Sequence, residues 1–236
     1  MELSVRARDV ARPALEVVGL TVVAFLVALV AGVVFIVPLV ALGYDVRTTA
    51  VLLGATAVGQ AGFLAVGYAY ARVRDVRVSV ALPSVRDVAA VAVGTLVALV
   101  LAVALSVLLS VLGLVPESVI GEAGMEDPTF LLGLAALSVV LVAPAEEWLF
   151  RGVIQGRLRQ RVGPVPAVVG SSLLFGSMHL TNYTGALAPI VAGAALIAVV
   201  GGVFGALYEY TDNLAVPIAA HAVYNVVLLS VSYAAM

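Results

Sequence analysis

Long apolar runs decide which solvent this chain can fold in. No charged residue interrupts Val17 to Leu42, Val88 to Val115, or Pro128 to Ala145. A helix crosses a bilayer with about 20 apolar residues, whereas strands of a membrane barrel alternate apolar and polar positions. A soluble domain carries about a quarter of its residues as charges. Here 63% are hydrophobic and only 11% charged, with mean hydropathy +1.18. So few charges cannot cover a water-facing surface, and lipid must be the solvent for most of the chain. The predicted class is all-α, a polytopic transmembrane helix bundle.

About seven spans are expected. They run from about Val17 to Leu42, Thr49 to Ala71, Val88 to Val115, Thr129 to Arg161, Val165 to Leu180, Leu187 to Leu207 and Leu214 to Tyr233. We divide the chain into residues 1–128, an N-terminal cytoplasmic segment with the first three spans, and residues 129–236, a membrane core that holds both histidines. The apolar run after Glu16 is about twice a signal-peptide core, which predicts a retained anchor. Basic residues are retained on the cytoplasmic side. Arg6, Arg8 and Arg12 precede the first span, Arg72, Arg74, Arg77 and Arg86 surround the second-to-third connection, and Arg157, Arg159 and Arg161 follow the fourth. The third-to-fourth connection instead carries Glu117, Glu122, Glu126 and Asp127. This alternation predicts an integral protein of a cytoplasmic-type membrane, N-terminus inside and C-terminus outside. A net charge of −2 does not suggest nucleic acid, and the absence of Cys excludes thiolate chemistry and disulfides.

Charged side chains inside a span are costly and normally turn to the bundle interior or a wet cavity. Glu146 and Glu147 interrupt the fourth apolar run. Helical neighbours point about 100° apart, so the two carboxylates are expected to have separate tasks. Glu147 and Arg151, four apart with the acid first, are spaced for an ion pair, leaving Glu146 as the free carboxylate. The Gly163–Pro164 turn places Glu146 and His179 at matching offsets along two antiparallel helices, hence at one depth. Phe175 and His179 share a helical face, as do His221 and Asn225. Together they offer a base for water and donors for an oxyanion, the parts of an amide hydrolase. An intramembrane polar cavity is expected among them.

Other residues have plainer readings. Gly201-Gly202-Val203-Phe204-Gly205 reads as close helix packing, Asn213 as a helix cap, and Tyr208 and Tyr210 as interfacial anchors. Trp148 and Tyr224 flank the polar groups as packing or pocket wall.

The three motifs, Glu146-Glu147-Trp-Leu-Phe-Arg151, Phe175-Gly-Ser-Met-His179 and His221-Ala-Val-Tyr-Asn225, resemble E-E-x-x-x-R, F-x-x-x-H and H-x-x-x-N. In this order, in a chain with no other histidine, they are similar to those of the CAAX-processing and bacteriocin-processing (CPBP, Abi) family of intramembrane proteases. The resemblance covers roughly Phe130 to Leu229. It implies that Glu146 and His179 activate water, that His221 and Asn225 stabilise the oxyanion, and that Glu147 and Arg151 hold the motif helix, with Phe175 in support. It also implies a glutamate-dependent peptidase without obligate metal, acting on prenylated CAAX-type or other membrane-bound protein or peptide substrates. The residues by themselves leave a divalent metal such as zinc open, with Glu146, His179 and His221 as ligands and one open position. Neither histidine has a second ligand at H-E-x-x-H spacing. Two rival readings remain at this level: a proton-coupled carrier, and a non-catalytic membrane scaffold or immunity protein. The sequence does not indicate oligomeric state.

Overall fold

The computed structural model describes the backbone from Glu2 to Met236 and side chains from Ala11 onward; the side chains of Arg6 and Arg8 lie outside the described residues. Three long helices come first: α1 (Glu2–Ala41), α2 (Thr49–Arg74) and α3 (Val85–Val111). A two-residue strand β1 (Glu117–Ser118) and a short helix α4 (Val119–Glu126) lead into a continuous helical rod, α5 (Thr129–Val162). Helix α6 (Pro164–Met178) returns antiparallel, followed by a 3-10 turn (His179–Asn182) and strand β2 (Tyr183–Thr184). Helices α7 (Leu187–Thr211) and α8 (Ala215–Ala234) complete the bundle.

Six of these helices are long and apolar enough to cross a membrane. The expected fifth span is the 15-residue α6, too short to cross as a helix by itself. It nevertheless reaches the far end of the bundle, because β2, which follows it, pairs antiparallel with β1 through Glu117↔Thr184 and Ser118↔Tyr183. Helix and ribbon together therefore make the seventh passage. Gly163 turns the chain between α5 and α6 at φ +80, a conformation glycine adopts without a side-chain clash. Pro164 follows at the first helical position, where its missing N–H costs nothing.

The outward faces confirm lipid as the solvent. On α1, Val22, Leu26, Val30, Val33, Val34 and Val37 are all exposed, far more contiguous apolar surface than a soluble monomer carries. The best-packed core lies in one half of the bundle, where Val17, Leu20, Phe63, Leu149, Val153 and Leu158 interlock between α1, α2 and α5. The same end is tied by Glu16, which pairs with Arg74 and, at 2.8 Å, with Arg157. It is tied again by Asn213, whose Oδ1 accepts from Ala81 N at 2.9 Å and Ala215 N at 3.2 Å. The expected cap at Asn213 is thus present and also pins the α2–α3 connection. Tyr208 differs from expectation. It is buried, and its hydroxyl accepts from Ser79 N at 3.3 Å, so it fastens the same connection and does not sit in an interface. Tyr210 is exposed with the Arg86 guanidinium over its ring.

Two stretches of α5, Ser138–Val142 and Trp148–Gln155, are π-helical. Pro144 offers no N–H to the turn before it, and a widened turn is one way a helix absorbs that loss. Glu147, immediately before the second stretch, and Arg151 and Gln155 within it are spaced four residues apart, and all are buried.

Candidate active site

The four residues expected to do chemistry meet in one cavity of about 1070 Å³. Glu146 comes from α5, His179 from the turn after α6, and His221 and Asn225 from α8. Its walls are largely apolar, with Phe130, Leu134, Ile120, Tyr183, Tyr224 and Leu229 among them. Glu146 lies 17 residues from Thr129 and 16 from Val162, about 25 Å from either end at 1.5 Å per residue. The polar groups therefore sit near mid-depth, at the bottom of an apolar well.

The two carboxylates are not independent. His221 stands between them: its Nδ1 is 2.8 Å from Glu147 Oε1, and its Nε2 is 3.8 Å from Glu146 Oε2. Backbone direction separates the carboxylates, but one imidazole reaches both. Glu147 also pairs with Arg151 at 3.2 Å, as its spacing predicts, with both side chains fully buried. Arg151 then donates through Nη2 to Gly201 O at 2.8 Å and lies over the Phe175 ring at 4.4 Å. One turn on, Gln155 Nε2 donates to Gly205 O and to Glu209. The Gly201–Gly205 stretch thus packs closely, as expected, and its closeness lets buried polar side chains of α5 reach the α7 backbone.

Aromatic rings hold the imidazoles. His221 stacks on Phe204 at 4.9 Å between centroids and meets Phe175 edge-on at 5.8 Å. His179 sits 4.7 Å from the same Phe175, and its Nδ1 lies 2.8 Å from Phe175 O. Donation to that carbonyl fixes the tautomer and leaves Nε2 as the acceptor. Phe175 therefore lies between the two histidines, and α6 ends one residue before His179.

Two side chains of the site escaped the sequence reading. Gln60 of α2 donates from Nε2 to Glu146 Oε1 at 2.8 Å, so Glu146 is not a free carboxylate. Ser138 of α5 accepts from Asn225 Nδ2 at 2.7 Å. Each is a lone polar residue in an apolar run, the only trace either left in the sequence. Of the flanking aromatics, Tyr224 lines the cavity. Trp148 packs instead on α2, its Cδ1 lying 2.9 Å from where a Cβ on Gly67 would be.

Zinc needs three or more ligand atoms within about 2.0–2.3 Å. Among the described residues no three His, Asp or Glu side chains converge to hold a metal ion. Glu146, His179 and His221 line the same cavity, and the Phe175 ring lies 4.7 Å from the His179 ring and 5.8 Å from the His221 ring.

Fold and site together define a multi-pass helical membrane protein with a buried carboxylate–imidazole cavity. Residues 128–227 match the family described as Type II CAAX prenyl endopeptidase Rce1-like. The matched segment is less than half of the 236 residues, but it holds all three motifs, so the resemblance drawn from them is borne out there. No curated protein and no solved structure matches the chain.

Proposed function

We propose that the protein is an intramembrane endopeptidase that hydrolyses a peptide bond with water activated by Glu146 and His179. One observation carries the reading: the side chains of all three motifs line or directly brace a single mid-depth cavity. Water held between Glu146 and His179 attacks the carbonyl carbon as its proton passes to Glu146. The carbonyl π electrons move to oxygen, and N–H groups of His221 and Asn225 stabilise the oxyanion. Collapse breaks the C–N bond, and Glu146 returns the proton to the leaving amine.

The surroundings support these roles. The second Nδ2 hydrogen of Asn225 is free for substrate once the first is committed to Ser138. With its Nδ1 hydrogen on Glu147, His221 can donate through Nε2 only as the imidazolium. No step is routed through a metal. The apolar cavity suits a lipid-anchored or transmembrane peptide, of prenylated CAAX type or another kind.

The test is cleavage by purified protein, with and without a chelator, of a lipidated CAAX peptide and of a plain transmembrane peptide. Cleavage of at least one, insensitive to chelator, is expected. Cleavage of neither, with the protein folded, defeats the proposal.

A further inference from the structure

The cavity is not centred in the bundle. From the layer of Glu146 it extends toward one end only, bounded there by Pro116, Ser118, Ile120, Thr181 and Tyr183, which belong to the α3–α5 connection and the segment after α6. No residue of the opposite end lines it. Between the site and that opposite end the bundle is solid. Phe150, Val153, Ile154 and Leu158 are buried across it, Gln155 joins Glu209, and Arg159 pairs with Glu209 at 2.9 Å. Glu16 closes the α1–α2–α5 corner through Arg74 and Arg157.

Charge identifies the two ends. Every arginine except Arg47 and buried Arg151 falls near the α1 N-terminus, around the α2–α3 connection, or in the last turns of α5. These segments all meet at the closed end. The open end carries Arg47 against Asp45, Glu117, Glu122, Glu126 and Asp127, and Arg47 itself pairs with Glu126. An arginine bias of this size in short connections sets the closed end in the cytoplasm.

We infer that the catalytic cavity opens on the non-cytoplasmic face, so the substrate is a membrane-anchored peptide segment presented from that side. The identity of the chemistry rests on the endopeptidase reading; the side of the opening does not. A segment approaching from the cytoplasm would meet the packed layer and its ion pairs, whereas one anchored in the outer leaflet enters an apolar well directly. The substrate class is therefore a translocated or exported peptide that keeps a lipid or helical anchor.

Because the natural chain has no cysteine, single-cysteine variants report without background. Thr181→Cys sits at the mouth and Arg77→Cys on the closed end, both at exposed positions. Spheroplasts expressing each variant are treated with a membrane-impermeant maleimide before and after lysis. Thr181→Cys is expected to label fully before lysis and Arg77→Cys only after it; the reverse pattern overturns the inference. In parallel, one cleavable membrane-anchored reporter is tethered on the outer face and another on the cytoplasmic face. Cleavage of the outer reporter alone supports the inference, and cleavage of the cytoplasmic one alone contradicts it. If neither is cut, the hydrolytic reading fails, while the labelling pattern still decides where the cavity opens.

Discussion

The buried Glu147–Arg151 pair should be one of the strongest single determinants of stability. Both side chains are fully buried, the pair spans 3.2 Å, and Glu147 also holds His221. Replacing Glu147 with Gln keeps the volume and an acceptor for His221 but leaves the Arg151 charge unbalanced. Breaking one side of a buried ion pair costs about 3–5 kcal/mol. Removing both charges costs less, because no orphan charge remains. The double variant Glu147→Gln, Arg151→Met should therefore be more stable than Glu147→Gln alone. It still loses the Arg151 bond to Gly201 O and the contact with Phe175, together about 2–4 kcal/mol. The assay is equilibrium unfolding of purified protein in mixed micelles, run as a double-mutant cycle. A single-variant cost below about 1 kcal/mol, or simple additivity in the cycle, would refute the reasoning.

Three further outcomes follow from the same geometry. Gln60→Leu removes the donor to Glu146; a hydrogen bond to a charged group contributes about 1.5–3 kcal/mol, so kcat should fall roughly 10- to 100-fold. Unchanged turnover would show that Gln60 does not hold the base. Gly201→Ala would set a Cβ 2.8 Å from both Arg151 Nη2 and the Phe175 ring, and should cost about 1–3 kcal/mol in the same unfolding assay. At the end of the bundle toward which the cavity extends, Thr49 and then Thr129 hydrogen-bond Asp127 and hold its carboxyl below the usual range. A depressed carboxyl stabilises the fold above its unfolded pKa and loses that contribution as pH falls through it. Acid unfolding should accordingly be shallower in Asp127→Asn, measured as unfolding midpoint against pH below about 4.

Much of this architecture could be read from one sequence because lipid imposes simple rules. Apolar runs located the long helices to within a few residues, except that α1 starts at Glu2, well before the apolar run that begins at Val17, and the Gly163–Pro164 turn and Glu147–Arg151 pair follow from local spacing. What spacing could not supply is tertiary. Nothing local says that His221 reaches Glu147 across 74 residues, or that Gln60 of α2 meets Glu146. The π turns escaped because helical periodicity assumes a constant 3.6 residues per turn, and Pro144 alone does not announce which adjustment the helix makes. The β1–β2 ribbon escaped because two residues per strand hold no alternation to detect. Ser138 is a lone hydroxyl whose meaning comes only from Asn225.

The most direct test of the central claim is turnover by Glu146→Gln in a bilayer. The substitution keeps the volume and an acceptor oxygen for Gln60, but removes the base. On a membrane-anchored peptide that the natural protein cleaves, the account predicts cleavage reduced at least 100-fold, on the order expected when a general base is lost, with the variant still folded and still binding the peptide. Cleavage within a few-fold of the natural rate would contradict it.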